Sequence, residues 1–385
     1  MDIDATWLLL GLPLAFGLGW LASRLDVRQM RIENRRAPKA YFKGLNFLLN
    51  EQQDQAIDAF IEAVQNDPDT SELHFALGNL FRRRGEYERA VRVHEHLLLR
   101  GDLSQGDRAR AQYALALDFL KAGLLDRAEV ALNHLEGTSF ESQARLALLG
   151  TYERSREWHK ALLVAAKLEG SDQGSFAARR AHYLCEQAAN HVVETNYSAA
   201  MESLRQAQTI APSAPRPPIE MASLHTKLGE NRAAYEGLAG ALKSSAAAAP
   251  LFANQLVQAA VESGHAKDAL ALLKSAYLLA PSLDVLEGIV KLEAIVANTS
   301  PSGRDWYVRH LEREPSLVAA AKWIAGEKLE HEQFHPQVQR ALDHAVIPLT
   351  RYRCAACGFE GKQHFWQCPG CQAWDSYPAR RVEEL

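Results

Sequence analysis

Three patterns of apolar and polar residues succeed one another along the chain. The first is Ala5–Ser23, ATWLLLGLPLAFGLGWLAS, an uninterrupted uncharged run of 19 residues. As a helix rising about 1.5 Å per residue, such a run nearly crosses a hydrocarbon core of roughly 30 Å. A cleaved signal peptide carries positive charge ahead of its apolar run. Here Asp2 and Asp4 precede the run, and Arg24, Arg28, Arg31, Arg35, Arg36 and Lys39 follow it. The pattern predicts residues 1–23 as a single transmembrane anchor, with the amino terminus outside and the body cytoplasmic, because positive flanks stay inside. Gly11, Ala15 and Gly19 recur every fourth residue and offer a small-residue face to another membrane helix. Residues 24–36 read as a basic juxtamembrane segment. Arg24, Arg28, Arg31 and Arg35 fall on one face of a continuing helix, where their guanidinium groups suit anionic lipid headgroups.

The second pattern fills residues 37–345, where apolar residues return at helical spacing in pairs of helices. Gly44, Phe47, Ala56, Phe60, Ala63 and Pro68 set a frame that Leu77, Gly78, Phe81 and Ala90 repeat 34 residues on. Two helices cross closely only where Gly or Ala lets the backbones approach, with a large side chain one turn away to fill the gap. Looser matches follow at Leu115, Ala116, Phe119 and Ala128, after a short insertion near Gln105–Arg108, and at Leu148, Tyr152 and Ala161. The frame sharpens again at Ala188, Ala200, Ala207 and Pro212, then Ala222, Ala234 and Ala241, then Ala269, Ala276 and Pro281, with Pro315 closing a poorer match. This spacing resembles the tetratricopeptide repeat. It predicts an all-α superhelix of about eight repeats with a capping helix near Ser316–Phe334. The run Ala211–Pro218 reads as a turn inside the array, since the 34-residue step from Ala200 to Ala234 passes through it.

In tetratricopeptide proteins the second, fifth, ninth and twelfth positions of the first helix of each pair face a groove that binds peptides and proteins. Carried onto the first two repeats, these are Pro38, Tyr41, Leu45, Leu48 and Glu72, Phe75, Asn79, Arg82. Tyr41, Leu45, Leu48, Phe75, Asn79 and Arg82 are therefore the candidate partner-groove residues, a mixed wall suited to a protein segment. Arg82-Arg83-Arg84 reads as a solvated helix end, and His94-Glu-His96 cannot set both imidazoles on one helical face. The segment HEQFH, His331–His335, has the form of a zinc-hydrolase motif. Pro336 disfavours helical geometry at His335, however, and no strand pattern precedes it.

The third pattern is a short cysteine-rich end, YRCAACGF followed by CPGC. Cys354, Cys357, Cys368 and Cys371 make two knuckles whose four thiolates form a closed tetrahedral site for one metal ion, iron or zinc. Gly358 and Gly370 are expected to permit the turns. Tyr352, Phe359, Phe365, Trp366 and Trp374 are expected to pack over the site, and the residue range is 350–378. The knuckle pair is expected to dock on the array and cap one end of it. His364 reads as a surface histidine, and Cys185, far from the other four, as a buried small apolar residue. The formal net charge is −4, with Lys+Arg 43 against Asp+Glu 47, and 47% of residues are apolar. That excludes a disordered tail and a disulfide mini-protein, and the near-neutral charge gives no sign of a nucleic-acid coat. Residues 350–385 hold five Lys/Arg against four acids, too neutral for a nucleic-acid finger.

One anchor, a tetratricopeptide array and a rubredoxin-like knuckle pair, in that order and ending in YRCAACGF…CPGCQAWDSY, resemble the lipopolysaccharide assembly protein B family of Gram-negative inner membranes. The resemblance implies a non-enzymatic scaffold that restrains lipopolysaccharide synthesis. In that role it helps a membrane AAA+ protease degrade the UDP-acyl-N-acetylglucosamine deacetylase that commits precursor to lipid A. It also implies an inner-membrane sulfatase-like antagonist and contact with lipopolysaccharide synthesis and transport proteins. A homo-oligomer stays open, and no catalytic residue carries over. The alternatives from other classes are a rubredoxin-type electron carrier and, further off, the HExxH metalloprotease.

Overall fold

The computed structural model describes residues 42–66, 70–170, 174–298, 303–326 and 332–385, together with Phe16 and Trp20. The chain divides into two compact parts, Met1–Arg156 and Glu157–Leu385. The first contains α1 (42–49), α2 (Gln53–Asn66), α3 (Ser71–Arg84), α4 (Tyr87–Leu99), α5 (Gln105–Ala122), α6 (Leu125–Asn133) and α7 (Glu141–Ser155). The second begins with α8 (Trp158–Leu168), α9 (Ala177–Val193), α10 (Tyr197–Ile210), α11 (Arg216–Lys227), α12 (Asn231–Ser244), α13 (Ala253–Glu262) and α14 (Ala266–Leu279). It continues with α15 (Leu283–Ala297), α16 (Arg304–Leu311), α17 (Leu317–Ala325) and α18 (His335–Val346), and ends in the two-residue strands β1 (Tyr352–Arg353) and β2 (Glu360–Gly361). Within each part, consecutive helices pack on one another in the manner of tetratricopeptide pairs.

The size alternation read from the sequence is the packing rule. Ala56, Ala90, Ala128, Ala161, Ala200, Ala234 and Ala269, all at the expected crossing position, have no exposed surface. In the next pair the frame lapses: the fourth residue of α16 is the buried Tyr307, and Gly303, the left-handed residue just before the helix, makes the close approach, since a Cβ there would stand 2.7 Å from Val290. Gly78 has the same role on the first helix of its pair, for a Cβ would meet the buried His94 ring at 2.5 Å. A second period was not visible in composition. The first helices of the eight pairs from α1 to α15 each end on a left-handed residue: Glu51, Gly85, Gly123, Arg156, Thr195, Gly229, Gly264 or Asn298; α17 does not, ending on Gly326 at φ −92°. Only half of the eight are glycine. Thr195 holds φ 60°, a conformation that β-branched residues rarely adopt, so the helix pair itself imposes the turn.

Several expectations are corrected. The single-pass inner-membrane placement is overturned, because among the described residues no helix is long and apolar enough to cross a membrane. The longest of them, α5, has 18 residues and carries Asp107, Arg108, Arg110, Asp118 and Lys121. The run at residues 5–23, apart from Phe16 and Trp20, lies outside the described residues, as do Arg24, Arg28, Arg31, Arg35, Pro38 and Tyr41. The array does not stop at the capping helix near Phe334. That helix is α17, and a further helix, α18, follows it. His335 opens α18, with Pro336 in its first turn, and its Nε2 bonds the Ile324 carbonyl at 3.1 Å. His331 lies outside the described residues. The Ala211–Pro218 stretch is a turn, as read, with Pro217 and Pro218 inside the first turn of α11, where their missing N–H groups cost no helical bond.

Ala200 and Ser198 lie two residues apart on α10, one fully buried and one exposed. Ala200→Leu should destabilise the protein by about 1–3 kcal/mol through overpacking, while Ser198→Leu should change stability by less than about 0.5 kcal/mol. Urea unfolding followed by helical circular dichroism measures both.

Candidate metal centre

The two knuckles are built alike. In the first, the Cys354 N–H donates to the Phe359 carbonyl at 2.9 Å and the Gly358 N–H to the Cys354 carbonyl at 2.9 Å. In the second, the Cys368 N–H donates to the Ala373 carbonyl at 2.9 Å and the Gln372 N–H to the Cys368 carbonyl at 2.8 Å. Each is framed by an antiparallel pairing: Tyr352 with Gly361 and Arg353 with Glu360 around the first, and Gln367 with Trp374 around the second. The residue after the second cysteine of each knuckle turns left-handed, Gly358 at φ 77° and Gln372 at φ 61°. Gly370, expected to serve this turn, serves packing instead, since a Cβ there would press on the Phe359 ring at 3.3 Å.

Four sulfurs converge. All four lie within 4.8 Å of one another, with Cys354 to Cys371 at 3.8 Å and Cys357 to Cys368 at 3.7 Å. A tetrahedron with metal–sulfur bonds of about 2.3 Å has edges of about 3.8 Å, so the donors already stand where one ion of zinc or iron needs them. Two of the thiols are also prepared electrostatically, while Cys357, although the Phe359 N–H lowers it, is pushed up to about 12 by burial and the neighbouring sulfurs. The Ser376 hydroxyl, 3.3 Å from its sulfur, pulls Cys354 down to about 6. Burial raises Cys368, but the N–H groups of Cys371 and Gly370 outweigh it and lower the thiol. Bound metal would complete a closed four-thiolate knot that ties the two knuckles together and contributes folding free energy. His364 takes no part, because its Nε2 bonds the Tyr377 carbonyl at 3.1 Å.

The small core beneath the site differs from expectation. Tyr352 and Tyr377 are buried with Cys354 and Cys368, and Phe365 and Leu251 pack on them. Phe359 is 44% exposed. Trp366 and Trp374 face the helices instead. Trp374 stacks on His182 at 4.8 Å and meets Trp158 and Tyr183 edge-on at 6.1 and 5.9 Å. His182 Nε2 donates to Asp375 at 2.9 Å, leaving Nδ1 toward the Arg216 guanidinium at 3.4 Å. Arg216, nearly buried, also donates to Glu186 at 2.7 Å and Glu220 at 2.5 Å, and lies 5.9 Å from the Trp366 ring.

The last residues close the other side. Arg381 forms two hydrogen bonds to the buried Asp284 at 2.9 and 2.7 Å and a third to the Thr350 carbonyl at 2.7 Å. Glu384 accepts from the Leu283 N–H at the start of α15, and Glu383 from the Val318 N–H and Ser316 hydroxyl at the start of α17. The knuckle domain therefore docks, as expected, but it does not cap one end. The knuckles lie against α9 and α11, with Trp158 of α8 and Leu251 beside them, and the tail that follows lies against α15 and α17. His182, Arg216 and Leu251 each hold the second, groove-facing position of their repeats.

Residues 352–377 match a family described as the rubredoxin metal binding domain, and residues 73–109 match the tetratricopeptide repeat. Lipopolysaccharide assembly protein B of Escherichia coli (strain K12) is 30% identical over 387 residues, covering 98% of this chain and 99% of that protein. The chain belongs to the lipopolysaccharide assembly protein B family. The family member from Haemophilus influenzae (strain ATCC 51907 / DSM 11121 / KW20 / Rd) is 26% identical over 385 residues, 96% of each chain. Among solved structures, a tetratricopeptide repeat protein from Parabacteroides merdae ATCC 43184 covers 67% of this chain and 98% of its own at 16% identity. Its TM-score of 0.34 is too low to carry an argument about this chain.

The groove candidates in the first part are largely used up internally. Phe75 is 2% exposed under the Arg110 guanidinium, which lies 4.1 Å from its ring centroid, so it is a core residue and not an open wall. Arg82 joins Asn79 to the buried Asp118, whose other oxygen lies 2.5 Å from His94 Nδ1. Leu45 and Leu48 pack half-buried on the core around Ile57 and Phe60. Of the arginine run, Arg84 is solvated and ion-paired as read, while Arg82 turns inward. Sequence reasoning missed Asp118, Trp158, His182, Arg216, Asp284 and Arg381. Only the 34-residue step from His182 to Arg216 carried a signal.

Cys354→Ser or Cys371→Ser should abolish stoichiometric metal binding, whereas Cys185→Ala should retain one ion per chain by elemental analysis, because burial holds the Cys185 thiol protonated. Arg381→Ala leaves Asp284 buried without its partner, a loss of about 3–5 kcal/mol. The variant should keep its metal yet lose protection against cleavage near residue 350 in limited proteolysis, and Asp284→Asn in the same chain should restore part of that protection.

Proposed function

We propose that this protein is a non-enzymatic adaptor in lipopolysaccharide assembly. It brings the UDP-acyl-N-acetylglucosamine deacetylase to a membrane AAA+ protease for degradation, answers to a sulfatase-like antagonist, and links lipopolysaccharide synthesis to transport. The observation that carries the reading is family membership over nearly the whole chain, with relatives named for lipopolysaccharide assembly. Two physical features agree with it. Tetratricopeptide pairs offer surface and not chemistry, and four thiolates fill every position of a tetrahedral ion, leaving none for a substrate.

The experiment is deacetylase turnover in the source organism after protein synthesis is stopped. Loss of the adaptor should lengthen the deacetylase half-life several-fold, and the wild-type chain should restore it. Cys354→Ser should restore it poorly. An unchanged half-life in the absence of the protein would remove the reading.

A further inference from the structure

The second part carries a cleft that neither the groove nor the metal centre uses. Its volume is about 340 Å³, the size of a small-ligand site. The lining comes from α10, the turn that joins α10 to α11, α12 and the short turn after α12. None of the lining residues holds the second, fifth, ninth or twelfth position of a first helix, so the cleft is separate from the groove face.

Two glycines hold this space open. Gly237 and Gly240 stand in the interior of α12 with ordinary helical backbone, so neither is needed for its φ. Close packing does not need them either. A Cβ at Gly78 or Gly288 would meet a side chain at 2.5 or 3.0 Å, whereas among the described residues nothing beyond the local backbone stands within 4 Å of a Cβ at Gly237 or Gly240. Glycine in a helix interior lowers stability relative to alanine. The pair, one turn apart, therefore leaves bare a patch of helix that the fold itself does not cover.

The rest of the lining says what would cover it. Pro212, Pro215 and Pro218 supply rigid apolar rings, and the buried Phe252 an aromatic one. Proline rings and the bare backbone at two glycines are flat surfaces, which suit a planar ring better than a branched aliphatic group. The polar lining is uncharged apart from Glu236, whose carboxylate accepts from Arg232 at 2.9 Å. Among the described residues the Gln208 and Ser213 side chains have no hydrogen bond within the protein, and the Ser244 hydroxyl donates to the Gly240 carbonyl at 3.0 Å, which leaves its lone pairs to accept. We propose that this cleft binds an uncharged aromatic ring carrying a hydroxyl group, the chemistry of a free phenol or of a tyrosine side chain. The ring rests on the proline and glycine surfaces, and its hydroxyl has an amide donor in Gln208 and an acceptor in Ser244. An aliphatic chain would cover these polar groups without pairing them, and a charged ligand would meet no unmatched charge on the lining.

The proposal goes beyond the adaptor reading and does not depend on it. Ligand-observed NMR titrations of the metal-loaded full chain with p-cresol, toluene, N-acetyltyrosinamide and maltose test it. p-Cresol should bind saturably, at least about threefold tighter than toluene, which lacks the hydroxyl. Gly240→Leu should weaken p-cresol at least about tenfold by filling the cleft, yet hold or raise the thermal midpoint, because leucine is the better helix former. Gly240→Ala adds a single methyl group; it should raise the midpoint by about 1–3 °C and weaken p-cresol less. N-acetyltyrosinamide binding as tightly as p-cresol assigns the ring to a protein side chain, and p-cresol binding alone assigns it to a free phenol. No saturable p-cresol binding, toluene binding equally tightly, p-cresol affinity within about twofold of wild type in Gly240→Leu, or maltose binding in place of p-cresol would overturn the proposal. So would a lower midpoint in Gly240→Ala, which would give the glycine a packing role instead.

Discussion

The close crossing of two helices at a residue with almost no side chain is the constraint on which the rest depends. Where Ala200 and Ala234 meet the preceding helix they have no exposed surface, and any larger side chain would push the pair apart. Fixing that distance also fixes the turn, which is why Thr195 and Arg156 accept left-handed backbone that their side chains disfavour. Once crossing and turn repeat, the first helices of successive pairs present the same position to the same face. His182, Arg216 and Leu251 come into line by that route alone.

That line is where the knuckle domain sits. Its own fold is local, two similar loops closed on one tetrahedral site, but its attachment is long-range and polar. Arg216, His182 and Asp284 are buried on the helices, and each has a partner or a stacked ring contributed by the knuckle domain or the tail. Left uncovered, those groups could turn to water. Covered by an apolar surface, His182 and Asp284 would lose their partners at a cost of a few kcal/mol each, while Arg216 would keep Glu186 and Glu220. The arrangement therefore selects this domain over an arbitrary apolar cover. Tethering by the same chain raises its effective concentration at the site far above that of any free competitor.

What was legible in the sequence is what local spacing encodes. Seven crossing alanines and four cysteines could be placed by number, because each depends on neighbours a few residues away or one repeat away. Asp118, Asp284 and Arg381 could not. A buried ion pair and a solvated charge look the same in a sequence, and the partner of Arg381 lies about a hundred residues back. Phe75 shows the converse failure. Its position is groove-facing by rule, but Arg110 from the next pair folds over its ring, a contact that no repeat frame anticipates. The left-handed Gln372 hid for a similar reason, since glycine fills the equivalent place in the first knuckle and points the eye to Gly370 instead.

Metal and groove are linked by thermodynamic necessity once docking and metal binding each require the same ordered knuckles. Metal binding is folding free energy for a unit this small. If the helices hold the knuckles better when folded, they tighten metal binding by some factor, and metal tightens docking by that same factor. The contacts that transmit this coupling are polar and directional: Asp375 to His182, His182 to Arg216, Arg216 to Glu220.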